Sequence, residues 1–122
     1  MRLLHGVDVI MKFFPKIRDR IQGKATKGQK RSKHWPGTRK LHLKANPRCA
    51  VCGSKFKREV HHIIPFNVAP DLELDRENMM TLCENKKYGI HCHLLIGHLG
   101  NYRLTNPSVV LDALTWKFKL GK

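Results

Sequence analysis

Glu59-Val60-His61-His62-Ile63-Ile64-Pro65 is the stretch on which the reading of this chain turns. Its residues predict a β-strand over Glu59–Ile64, and on a strand neighbouring side chains point to opposite faces. Two consecutive histidines therefore cannot both enter the core side by side. One can face a metal ion while the other faces a substrate phosphate, provided the strand bends or twists. Glu59 lies two residues before His61, on the same face, where a carboxylate could orient the imidazole and fix its tautomer. Taken alone, the pair would be read as surface or satisfied histidines on an edge strand.

The flanking sequence changes that reading. Upstream, Cys49-Ala50-Val51-Cys52-Gly53 forms half of a metal knuckle. Two thiolates three positions apart on a tight turn can point at one tetrahedral ion, and Gly53 permits the backbone of that turn. Further upstream, Pro36 opens a short helix through Thr38–Ala45, closed by Asn46-Pro47. Downstream come an irregular acidic stretch (Asp71–Glu77), then Asn78, and a second strand over Met79–Cys83. A helix is expected over Cys92–His98. Cys83 and Cys92 complete a set of four thiolates, enough to close a structural Zn²⁺ site with no open position. Cys92-His93 adjacency suggests one residue serving zinc while its neighbour turns to a separate site, with His98 five residues on.

Charge points to the partner. The chain of 122 residues carries a formal net charge of +15. Residues 1–60 hold 17 Lys and Arg against Asp8, Asp19 and Glu59, a balance of +14; residues 61–122 hold seven against six acids, a balance of +1. A basic excess confined to one half is the footprint of a polyanion partner, with nucleic acid favoured over an acidic membrane surface. Residues 22–34 have no apolar periodicity and read as a flexible basic arm, with Lys24, Lys27, Lys30, Arg31 and Lys33 tracking phosphates alongside Arg39 and Lys40 of the helix. Nothing resembles a recognition helix with base-reading side chains at regular spacing, so backbone contacts should dominate.

Residues 3–21 have helical apolar spacing broken at Pro15, expected as a packing element. No stretch approaches the ~18–20 apolar residues of a membrane span, and His5, Gly6 and Asp8 break what would be the core of a signal peptide. A cytoplasmic setting follows, in a cell or in a virus-infected host. There, cysteines serve as metal ligands more often than as disulfides.

In this order, Cys49-x2-Cys52, the Glu59–Pro65 strand, Glu77-Asn78-Met79-Met80-Thr81-Leu82-Cys83 and Cys92-His93 resemble the HNH endonucleases over roughly Trp35 to Asn106. The resemblance implies an α+β fold: a ββα-metal (His-Me finger) core with a structural zinc site and flanking helices. It implies His62 as general base, His61 and His93 as ligands of one divalent catalytic metal (Mg²⁺, Mn²⁺, Ni²⁺ or Zn²⁺), and Asn78 as the residue tying the loop to the histidine strand. Glu59 corresponds to the supporting acid that precedes the double histidine in the colicin nucleases. The chain departs from the pattern in the insertion Glu84–His91, which leaves open which of His91, Cys92 and His93 serves which ion. His98 is the candidate third ligand, although an i, i+5 step does not keep two side chains on one α-helical face.

The expectation is thus a basic helix and arm (1–34), an HNH nuclease domain (35–106) and a packing or dimerising tail (107–122). Its activity would be metal-dependent hydrolysis of DNA phosphodiester bonds. A non-catalytic, zinc-stapled DNA-binding protein is the competing reading, and oligomeric state is open.

Overall fold

The computed structural model describes residues 30–85 and 90–121. The helix expected over residues 3–21, Lys24 and Lys27 lie outside them. The order is helix α1 (Trp35–Ala45), strands β1 (Arg58–His62) and β2 (Met79–Cys83), a five-residue π-helical turn (His93–Gly97) and helix α2 (Val109–Lys119). The result is a small α+β fold consistent with the ββα-metal architecture. Among the described residues no helix is long and apolar enough to cross a membrane.

β1 and β2 pair antiparallel, with His62 opposite Met79, His61 opposite Met80 and Arg58 opposite Cys83. β1 ends at His62, two residues short of the span expected from sequence. There the ladder hands over to Asn78, whose carbonyl accepts from Ile63 N at 2.9 Å and whose side-chain Oδ1 accepts from Ile64 N at 2.8 Å. The acidic stretch joining the strands forms two single 3₁₀ turns, Pro70–Leu72 and Arg76–Asn78, the second capped by Asp75 through its bond from Glu77 N.

α1 begins with proline in its first turn and buries His42 against the sheet. Asn46 O accepts from Thr81 Oγ1 at 2.8 Å, and Arg58 reaches Pro47 O at 3.1 Å, so both strands hold the C-terminal end of α1. The core is unusual in its content. Cys49, Cys83 and Cys92 lie within it, packed with Val51, Ile63, Leu82, Val109 and Ala113. Any ion the cysteines hold therefore sits inside the hydrophobic core. α2 contributes Val109 and Ala113 to that core and leaves Leu111, Leu114, Trp116 and Phe118 exposed.

The flexible basic arm expected over residues 22–34 is docked at Arg31 and Ser32. Ser32 N donates to Glu73 Oε1 at 2.8 Å and Arg31 Nη1 pairs with Glu73 Oε2 at 3.3 Å. The Arg31 guanidinium also lies 4.4 Å from the Phe66 ring centroid and 5.3 Å from that of Trp35. Glu73 is only 3% exposed, and a buried carboxylate demands partners, which this short segment supplies. Lys30, Lys33 and Lys40 remain exposed on the surface.

Candidate active site and metal centres

The first cluster is Cys49, Cys52, Cys83 and Cys92, all free thiols, with Sγ atoms within 4.8 Å of one another. Four thiolates about 2.3 Å from one tetrahedral ion stand about 3.8 Å apart, and Cys52 and Cys83 lie at 3.5 Å. The knuckle is built as its sequence suggested. Gly53, at φ +76°, donates its N–H to Cys49 O at 3.0 Å, and Val51 N approaches Cys49 Sγ at 3.5 Å. A hydrogen bond from the Cys92 thiol holds Cys49 well down, at about 4, and the same bond with burial pushes Cys92 up. Burial pushes Cys52 up to about 11. Four thiols this close together, three of them buried, cannot all ionise without a cation, so this donor set fits Zn²⁺ entering as protons leave.

The second cluster is His61, His93 and His98, each offering one ring nitrogen, and these too lie within 4.8 Å of one another. His61 enters from β1. His93 begins the π-helical turn and His98 follows it directly. The structure resolves the spacing problem physically. A π-helical turn bonds i to i+5, so residues five apart come one above the other, as they would not in an α-helix. His98 Nε2 consequently stands 3.2 Å from His93 Nε2. Gly97 makes the approach possible, since a Cβ there would meet His61 Cε1 and Nδ1 at 3.1 Å.

The protonation pattern can be read from the partners. His93 Nδ1 faces Glu84 Oε1 at 2.9 Å, and His98 Nδ1 faces the Leu104 carbonyl at 2.9 Å. Both partners are acceptors, so both Nδ1 atoms carry the proton and the two Nε2 lone pairs face each other. His61 Nε2 is buried with no hydrogen-bond partner. Burial, followed by the neighbouring His93 and His98, pushes His61 down to about 3; burial also lowers His93. Three neutral imidazoles with converging lone pairs fit a divalent cation, whose tetrahedral nitrogen ligands stand about 3.3 Å apart.

His62 occupies the other side of the strand end. Its Nε2 lies 2.9 Å from Glu73 O, which accepts, so Nε2 holds the proton and Nδ1 keeps the lone pair. Its ring sits against Trp35, centroids 4.6 Å apart, and burial lowers its pKa. His61 and His62 still line one cavity of about 510 Å³, together with His93, His98, Arg31 and Arg103. Asn78, fully buried, donates from Nδ2 to Ile64 O at 3.0 Å and to Leu72 O at 3.4 Å. It ties the strand exit to the segment whose Glu73 carbonyl holds His62.

Glu59 does not take the place expected for it beside His61. Its Oε2 accepts from Arg39 Nη2 at 2.9 Å, so it pairs with α1 and does not orient the His61 ring. The nearby guanidinium offers an ionised donor, which wins over a neutral imidazole. Arg39 is accordingly occupied, with a further contact to Arg58 O at 3.4 Å.

Cys92 joins the thiols, His93 the histidines, and His91 Nε2 lies 3.2 Å from Tyr102 Oη, outside both clusters. Sequence reasoning missed Glu84, Tyr102, Glu73, Arg103 and His42. Nothing in the local sequence sets Glu84 and Glu73 apart from other acids, and only the folded neighbours distinguish them. His42 left a weak signal, a histidine on the apolar side of a short helix.

Residues 49–98 match the HNH endonuclease family. No curated protein and no solved structure matches the chain. The matched stretch holds all four cysteines, the three clustered histidines, His62 and Asn78, and it is over this stretch that the chain is similar to the HNH endonucleases.

Proposed function

We propose that this protein is a metal-dependent endonuclease that hydrolyses phosphodiester bonds in DNA, with His62 as general base. The observation that carries the reading is the cluster of His61, His93 and His98, with an unpartnered buried nitrogen, in the same cavity as a histidine whose free lone pair is at Nδ1. A divalent cation held by the three imidazoles would supply positive charge against the charge developing on the leaving oxygen. A ligand set without carboxylate favours a transition ion such as Zn²⁺ or Ni²⁺ over Mg²⁺ or Mn²⁺, which prefer oxygen.

His62 takes a proton from the attacking water at Nδ1. The Glu73 carbonyl and the Trp35 ring hold the imidazole in that tautomer and orientation, and a lowered pKa keeps it unprotonated at neutral pH. Arg31 and Arg103 border the cavity, where their guanidinium groups are suited to charge-assisted contacts with backbone phosphates. Asn78 acts through the backbone as a positioning residue. The net charge of +15, concentrated in residues 1–60, gives sequence-independent affinity that falls steeply with salt. The four cysteines hold a structural Zn²⁺.

The test is plasmid nicking by metal-stripped protein reloaded with zinc and then given Mg²⁺, Mn²⁺, Ni²⁺ or further Zn²⁺. Cutting should require the second metal and fall by roughly 10²- to 10⁴-fold in His62→Ala. Undiminished cutting by His62→Ala would overturn the base assignment. Salt-sensitive binding with no cutting under any metal would leave a zinc-stapled DNA-binding protein.

A further inference from the structure

Glu84 opens the insertion between Cys83 and Cys92, the stretch where the chain departs from the family pattern. We propose that Glu84, braced by Tyr102, is the positioning carboxylate of the histidine centre, holding the His93 ring so that Nε2 is the nitrogen offered to a divalent cation. The inference rests on the reading that His61, His93 and His98 hold that cation.

The geometry is specific. Glu84 follows Cys83 directly, and its N–H donates to Lys57 O at 2.7 Å, so its backbone is fixed by the end of the sheet. From there Oε1 lies 2.9 Å from His93 Nδ1 and 2.9 Å from Tyr102 Oη, which donates to it. A carboxylate in this place only accepts, so it selects one tautomer of His93 and restrains rotation of the ring. Tyr102 restrains the carboxylate in turn. His98 is oriented by the same device with a neutral acceptor, the Leu104 carbonyl at 2.9 Å. Of these two acceptors Glu84 is the charged one: it makes the His93 imidazole a stronger ligand and offsets the charge of an ion bound by three neutral rings. The insertion thus brings a carboxylate to the metal centre without making it a ligand.

A plain salt bridge at this partly exposed position would contribute little to stability and nothing to metal affinity. Calorimetric titration of Ni²⁺ into the full chain, its cysteine cluster already loaded with zinc, separates the two roles. Glu84→Ala should weaken Ni²⁺ binding by roughly 10- to 100-fold. Glu84→Gln, which keeps an acceptor but loses the charge, should fall between parent and Glu84→Ala. Tyr102→Phe should weaken binding by a smaller factor, with zinc content unchanged in all three. The proposal is overturned if Glu84→Ala binds Ni²⁺ within about twofold of the parent while His93→Ala loses it. If His93→Ala and His98→Ala both bind Ni²⁺ like the parent, the histidine centre itself is refuted, and this inference with it.

Discussion

Replacing Asn78 puts the tether between the strand exit and the His62 loop under direct test. Its side chain satisfies Ile64 N at 2.8 Å and Ile64 O at 3.0 Å, both in a buried setting, and makes a longer contact to Leu72 O at 3.4 Å. Asn78→Ala leaves one donor and one acceptor of Ile64 unpaired. At about 1–3 kcal/mol for each buried unsatisfied group, the expected loss is about 2–6 kcal/mol, a large part of the ~5–15 kcal/mol that stabilises a domain. Asn78→Asp separates hydrogen bonding from volume. An ionised carboxylate still accepts from Ile64 N but faces two carbonyl oxygens, whereas the protonated acid can donate to Ile64 O. Its folded-state pKa is therefore raised above the unfolded value. Stability is best retained at low pH and is lost as pH rises through the raised pKa. Denaturant titrations of the zinc-loaded parent and both variants between pH 5 and 8 measure this as differences from the parent. A loss below about 1 kcal/mol in Asn78→Ala, or a pH-independent penalty in Asn78→Asp, would refute the account.

Three further outcomes are expected. His42 is buried with both ring nitrogens unpartnered, and burial, then Arg76 and His62, push it down to about 4 from an ordinary 6.5. The unfolded chain therefore takes up this proton first: His42's contribution to stability is constant above pH 6.5 and declines as pH falls toward 4, by at most about 3 kcal/mol. His42→Phe should show a smaller loss than the parent between pH 7 and 5 in denaturant titrations, and an equal loss would exclude His42 as the cause. Gly97→Ala places a Cβ 3.1 Å from the His61 ring and from Leu82 Cδ1, so it should weaken binding of the second metal while zinc content stays constant. Unchanged Ni²⁺ affinity would show that the turn has room to spare. Because the cysteines lie within the core, zinc removal by a chelator, or Cys92→Ser, should abolish the cooperative melting transition seen by circular dichroism; an unshifted midpoint would refute the structural role.

What the sequence determined by itself is what depends on short spacing and local period. The Cys49–Cys52 turn, the Met79–Cys83 strand and the helix ended by Asn46-Pro47 each follow from a few adjacent residues, and each is found. The alternation of His61 and His62 between two surroundings is likewise a property of any strand. The charge concentrated in residues 1–60 needs no fold at all.

The tertiary structure decided whatever depends on partners distant in sequence. Glu59 and Glu84 are both acids near histidines, yet Arg39, twenty residues away, takes the first, and His93 with Tyr102 takes the second. Arg31 looked like part of a solvated arm until Glu73, 42 residues on, required a partner for its buried carboxylate. His98 looked one position out of step because spacing was judged on an α-helix, and the π-helical turn at Gly97 moved it back into line. Residue types and spacings name the groups able to do chemistry. Hydrogen-bond competition and desolvation select among those groups, and both operate only after the chain has folded.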